Sequence, residues 1–161
     1  MKLFSEYLAE AEDEHKDGTY AALLPENSSR EKLHGWMEEQ HIDKLVDMKD
    51  YHCTVVYSTK SVPEVTNIPV DLPFNATPKE WKVFGNEKML VLVLNAPKAT
   101  KLFDATIRMG AKTDYPEYVP HITVALNYQE DVPKEVPLFK IRFHKFKVAP
   151  MDTDFSYSDD K

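Results

Sequence analysis

The sequence predicts an α+β domain built as two pseudo-symmetric β-α lobes with antiparallel sheets flanking a central cleft. Three observations predict it. Short β-rich runs alternate with amphipathic helical stretches along the chain. The segments 81–84 and 89–94 flank Gly85-Asn86-Glu87-Lys88, a hairpin signature. The tetrapeptide His52-Cys53-Thr54-Val55 returns as His121-Ile122-Thr123-Val124. That period, about 70 residues, is too long for a solenoid array and suits two related lobes.

The elements follow in order. In 1–17, Leu3, Phe4, Tyr7, Leu8 and Ala11 fall at helical spacing, and Gly18 ends this N-terminal helix. Thr19-Tyr20-Ala21-Ala22-Leu23-Leu24, stopped by Pro25, reads as a buried strand. Asn27, Ser28 and Ser29 offer helix caps, with capping-box spacing to Arg30-Glu31. Leu33, Trp36, Met37, Gln40 and His41 continue that helix, and Leu45 extends it. Residues 51–58 are rich in β-formers. Segment 59–78 carries Pro63, Pro69, Pro73 and Pro78 and reads as a loop with a short edge strand.

After the hairpin, Pro97 opens a helix carrying Ala99, Leu102, Phe103, Ile107 and Met109, and Gly110 closes it. Residues 119–126 form a strand interrupted at Pro120. Residues 138–148 alternate apolar and basic side chains and form the last strand. Segment 150–161 is an acidic, frayed tail. The whole, 1–161, reads as one domain.

Composition narrows the function. At 42% hydrophobic and 29% charged, the chain has the make-up of a soluble globular protein. No window reaches the ~18 apolar residues of a membrane span, and Glu6 interrupts any secretory signal. Cys53 is the single cysteine, so an intrachain disulfide is excluded. A reducing cytoplasm is the expected location. With 20 basic against 27 acidic residues, the net charge of −7 disfavours long nucleic acid. A small anionic ligand in a local cationic pocket remains compatible with it.

In a strand, residues two apart share a face. His52 and Thr54 therefore point one way, and Cys53 and Val55 the other; the second copy repeats this with His121, Thr123, Ile122 and Val124. Two such pairs suit phosphoester cleavage without a metal. One imidazole removes a proton from the attacking oxygen while the other protonates the leaving oxygen, each worth typically ~10²–10⁴ in rate. The two stiff threonine hydroxyls donate to phosphate oxygens as charge builds. A single His-x-Thr is a weak signal; two copies are a stronger one. A His–His metal site is an open alternative at this point, because Asp50 falls on the His52 face. His34, His41 and His144 read as surface or satisfied structural residues.

Paired His-x-Thr motifs on two related β-α lobes resemble the 2H phosphoesterase superfamily, whose members include bacterial and archaeal RNA 2′,3′-cyclic phosphodiesterases. The resemblance runs from Thr19 to about Val148. The opening Met1-Lys2-Leu3-Phe4-Ser5-Glu6-Tyr7-Leu8 and the stretch Gly18-Thr19-Tyr20-Ala21-Ala22-Leu23-Leu24-Pro25 resemble, more narrowly, the bacteriophage anti-CBASS nucleases.

This resemblance implies metal-independent cleavage of 3′,5′-linked cyclic di- and trinucleotides, the alarm signals of a host antiphage system. It calls for no cofactor, carries no implication of a protein partner, and implies a place in the infected host cytoplasm. His52, Thr54, His121 and Thr123 would be the catalytic quartet, with a ribose 2′-hydroxyl as nucleophile and either histidine as the first base. For the bases, the resemblance points to Tyr20, with core packing as its equal alternative, and to Phe155.

Tyr115, in the loop before the second motif, would border the cleft or cap the sheet. Trp81 and Trp36 are further aromatic candidates, Trp36 being better placed in a core. Lys112, Lys140, Arg142 and Lys147 read as a solvated basic face outside the site. An RNA 2′,3′-cyclic phosphodiesterase and a non-catalytic nucleotide-binding module are the competing functions. The intact motifs favour a catalyst over a binding module.

Overall fold

The structure, a computed structural model, describes residues 18–114, 117–151 and 155–157. The expected helix in 1–17, Tyr115 and most of the acidic tail lie outside the described residues. Eight main elements run β1 (Thr19–Pro25), α1 (Asn27–Glu39), β2 (Cys53–Ser58), β3 (Phe74–Phe84), β4 (Met89–Asn95), α2 (Pro97–Arg108), β5 (His121–Ala125) and β6 (Ile141–Pro150). Short 3-10 turns lie at Met48–Asp50 and Pro63–Asn67.

The strands form one sheet in the order β2-β1-β6-β3-β4-β5, every pair antiparallel. Only Phe74, Asn75 and Ala76 of β3 pair with β6, so the sheet is two three-stranded halves joined by a short seam. Each half has the same build. The unit β1-α1-β2 matches β4-α2-β5, and the motif-bearing strands β2 and β5 are the outermost strands. The expected α+β class and its two β-α lobes are therefore present.

Both helices cover one face. Leu33 and Met37 of α1, with Ala99 and Leu102 of α2, share a core with alternate residues of all six strands, including Leu23, Cys53, Leu92, Ile122 and Ile141. The opposite face carries a smaller cluster of Tyr20, Ala22, Leu24, Met151 and Tyr157. Alternation along β1 divides its side chains between these two layers. A bulge opposite Ala21 and Ala22 puts both Val55 and Val56 in the core and returns Tyr57 to the Tyr20 side.

Some boundaries differ from expectation. Helix α1 is capped by Glu26 without a side-chain bond; Ser29 instead accepts the Arg142 N–H, 2.9 Å away. The helix stops at Glu39, because His41 takes a left-handed φ of 57° and Lys44 one of 59°. Leu45 does not extend it but bridges to Ala125 at the edge of the second lobe. Strand β2 starts at Cys53, leaving Tyr51 and His52 just before it. Ile107 and Met109, expected on the buried stripe of α2, are each 39% exposed.

The largest correction is β3. The proline-rich stretch does not stay a loop to residue 78; it becomes an eleven-residue strand from Phe74. Phe74, Ala76 and Pro78 point inward while Asn75, Thr77 and Lys79 face out. Pro78 is tolerated at a bulge, where β6 no longer pairs along that edge. Gly85, at φ +74°, turns the chain into β4 as the hairpin signature predicts.

Candidate active site

His52 and His121 stand at corresponding ends of the two outer strands, and the same local device fixes each ring. His52 Nδ1 lies 2.8 Å from the Asp50 carbonyl, and His121 Nδ1 lies 2.7 Å from the Val119 carbonyl. A carbonyl only accepts, so Nδ1 carries the proton in both rings and Nε2 carries the lone pair. The Asp50 contact is made by its backbone and not by its carboxylate.

Both imidazoles are held below the ordinary histidine range. Burial draws His52 down to about 4; the bond to Asp50 opposes this, and the charges of His121 and Arg30 add to it. Burial lowers His121 as well, against the bond to Val119. The His121 ring is near enough for its charge to disfavour the charged form of His52. At neutral pH both therefore rest uncharged, with basic Nε2 atoms.

Aromatic rings fix the ring planes. Tyr157 stacks on His52, centroids 3.8 Å apart and planes within 11°. Phe84, at the end of β3, meets His121 edge-on at 5.0 Å. The sequence did not point to either residue; Tyr157 sits in an acidic tail without periodicity, and Phe84 reads as ordinary hairpin.

Thr54 and Thr123 share faces with their histidines, and Cys53, Ile122 and Val124 pack fully buried on the far side, as the spacing requires. The Tyr20 hydroxyl bonds to Thr54 Oγ1 at 2.9 Å. Tyr118 donates to the Thr54 carbonyl at 2.8 Å while stacking on Phe103 of α2, so a residue beside the second motif braces the first.

The remaining candidates separate. Tyr20 is 1% exposed, covered edge-on by Phe155 at 4.7 Å and tilted against Tyr57. Phe155 itself is half-buried in that cluster. Trp81 and Trp36 stack on each other at 5.5 Å, with Trp81 in the helix-side core. Arg142 pairs with Glu26 at 3.3 Å, and Lys112 is exposed.

Lys147 departs from the solvated reading. Thr54 pairs with Ala22 and Ala22 with Lys147; in the other lobe Thr123 pairs with Val91 and Val91 with Lys82. Directly paired residues share a face, so each motif threonine has a lysine two strands inward on its own side of the sheet. Lys147 Nζ donates to the Ser156 carbonyl at 2.7 Å and lies 4.6 Å over the Phe155 ring.

The sequence profile described as anti-CBASS protein Acb1 matches residues 17–158. The chain belongs to the anti-CBASS protein Acb1 family. An Acb1 protein of Vibrio phage KVP40 is 26% identical over 150 residues, covering 89% of this chain and 93% of that protein. The Acb1 protein of Acinetobacter phage Ac42 is also 26% identical, over 110 residues, covering 67% and 72%.

Among solved structures, E. coli LigT complexed with NADP+ superposes with a TM-score of 0.63 at 14% identity, covering 82% of this chain and 86% of LigT. A crystal structure of a phosphoesterase gives 0.62 at 16% identity, with the same coverage. This family member thus has the fold of the 2H phosphoesterase superfamily, and its two His-x-Thr strands are the outermost strands of its own sheet.

Proposed function

We propose that this chain is a phosphodiesterase that opens 3′,5′-linked cyclic di- and trinucleotides and so blunts a CBASS alarm signal. The observation that carries the reading is the matched pair of imidazoles, each presenting a basic Nε2 with its Nδ1 tied to a carbonyl two residues upstream. Membership of the anti-CBASS Acb1 family supports the biological role. Two lysines on the threonine face of an otherwise acidic protein support a small anionic substrate over a long one.

The chemistry runs on protons. One neutral Nε2 takes the proton of a ribose 2′-hydroxyl as its oxygen bonds to phosphorus. The other imidazole, protonated when the phosphate anion is bound beside it, gives its proton to the departing 5′-oxygen as the P–O5′ bond breaks. The product carries a 2′,3′-cyclic phosphate, which water opens with the roles reversed. Thr54 and Thr123 hydroxyls donate to the non-bridging oxygens. No step draws on a metal or an organic cofactor.

The test is a product analysis in excess chelator, with a cyclic dinucleotide, a cyclic trinucleotide and a linear RNA ending in 2′,3′-cyclic phosphate. Opened rings with the linear RNA barely touched are expected, together with loss of cleavage in H52A and H121A. Preference for the linear terminus would assign RNA end processing to the same quartet. Binding without cleavage would make the protein a nucleotide trap, and activity restored only by a divalent ion would replace the acid–base scheme.

A further inference from the structure

Arg30 is a charged residue in an unusual setting. It sits in the first turn of α1, is only 2% exposed, and directs its guanidinium into the region behind the first motif. Its Nε donates to the Pro25 carbonyl at 3.0 Å, and one Nη to the Met48 and Lys49 carbonyls at 2.9 and 2.8 Å. The other Nη donates to the Tyr157 carbonyl. One side chain therefore ties together the end of β1, the 3-10 turn before β2, and the C-terminal segment. A planar fork with five N–H groups suits such a task, and a lysine ammonium does not reproduce it.

Two of these three segments hold His52. The Met48–Asp50 turn supplies the Asp50 carbonyl that accepts the Nδ1–H hydrogen bond. The C-terminal segment supplies the Tyr157 ring stacked on the imidazole. Among the described residues the second lobe shows no equivalent: the matching position of α2 is Thr100, which is exposed. Among the described residues, His121 is held by Val119 and Phe84.

We propose that Arg30 is a positioning residue for His52, fixing its tautomer and ring plane through the Asp50 carbonyl and Tyr157. This rests on the reading of His52 as an acid–base group, but its first test needs no substrate. Natural-abundance or labelled ¹⁵N spectra of the imidazoles report which nitrogen bears the proton.

In R30K, which keeps the charge and loses the fork, His52 is expected to become a mixture of tautomers while His121 stays Nδ1-protonated. With a cyclic dinucleotide, kcat should fall about 10-fold or more with KM changed less than about twofold, the mark of misplacement and not of lost binding. An unchanged His52 tautomer in folded R30K overturns the proposal, whatever the substrate proves to be. An altered tautomer with no catalysis in either protein would leave Arg30 in this role and remove only the enzymatic reading.

If R30K does not fold, the parent protein decides the matter. Slowly exchanging Arg30 Nε–H and Nη–H signals with contacts to Tyr157 are expected, and rotationally averaged, fast-exchanging ones overturn the clamp.

Discussion

The Tyr20 hydroxyl lies 2.9 Å from Thr54 Oγ1, joining the buried aromatic cluster to the first motif. Burial keeps the Tyr20 phenol far above its ordinary range, so it stays protonated. If Tyr20 donates its proton to Thr54, the Thr54 hydroxyl keeps its own for a phosphate oxygen. In the proposed mechanism the bond then orients Thr54 as a donor to phosphate as well as satisfying a buried hydroxyl.

Tyr20→Phe is expected to lose about 1 kcal/mol of stability in urea unfolding, since a hydroxyl bond is removed and the ring still packs. Its kcat should fall while KM stays close to that of the parent. A base-stacking role for the Tyr20 face would instead raise KM, and Phe155→Ala, which uncovers that ring, would then lower it. Steady-state kinetics on the two variants separate orientation of Thr54 from recognition of the base.

The histidine shifts predict a pH dependence with a definite sign. His52 titrates at about 4 in the folded chain against an ordinary value of 6.5, so the folded state binds fewer protons there. Its contribution to stability is full above 6.5 and is lost as pH falls from 6.5 toward 4. His121, also lowered by burial, acts in the same direction. Denaturation midpoints should therefore drop through this window in the parent protein and drop less in His52→Gln. The acid limb of kcat/KM should lie below the ordinary histidine range, and the kcat profile, with phosphate bound, should move to higher pH.

The fold was legible wherever local pattern and tertiary setting agreed. Strand β1, the hairpin and α2 follow from apolar runs, Gly85 and Pro97. Strand β3 was hidden because Pro73 and Pro78 are poor strand residues, and only the sheet geometry around them makes Pro78 acceptable. The shared face of each motif's His and Thr was legible because a two-residue period sends Cys53, Ile122 and Val124 to the core. Arg30, Tyr157 and Phe84 were not legible, because Tyr157 and Phe84 meet their histidines, and Arg30 meets Tyr157, across distant parts of the chain. Lys147 needed the strand register, since basic alternation alone does not tell a cleft face from a solvated one.

Cys53 should report global unfolding. It is fully buried, and burial pushes its thiol up to about 11, opposed by its contact with Tyr118. A thiolate is the reactive form, so alkylation of the native protein at neutral pH should be very slow. Labelling across a urea series should follow the same transition as circular dichroism. Rapid labelling at low denaturant would reveal local opening between β2 and the Tyr118 segment.

The two lysines carry the last prediction. Lys147 and Lys82 lie at equivalent positions in the two lobes, each two strands inward from a motif threonine. An anion held between the threonines would meet a positive field from both sides, in a protein whose net charge is −7. Lys82→Met and Lys147→Met should each raise KM about threefold to tenfold for a cyclic dinucleotide while leaving kcat nearly unchanged. Salt should weaken substrate binding less in either variant than in the parent, because part of the screened attraction has been removed. Equal salt slopes in all three proteins would place the attraction elsewhere on the cleft.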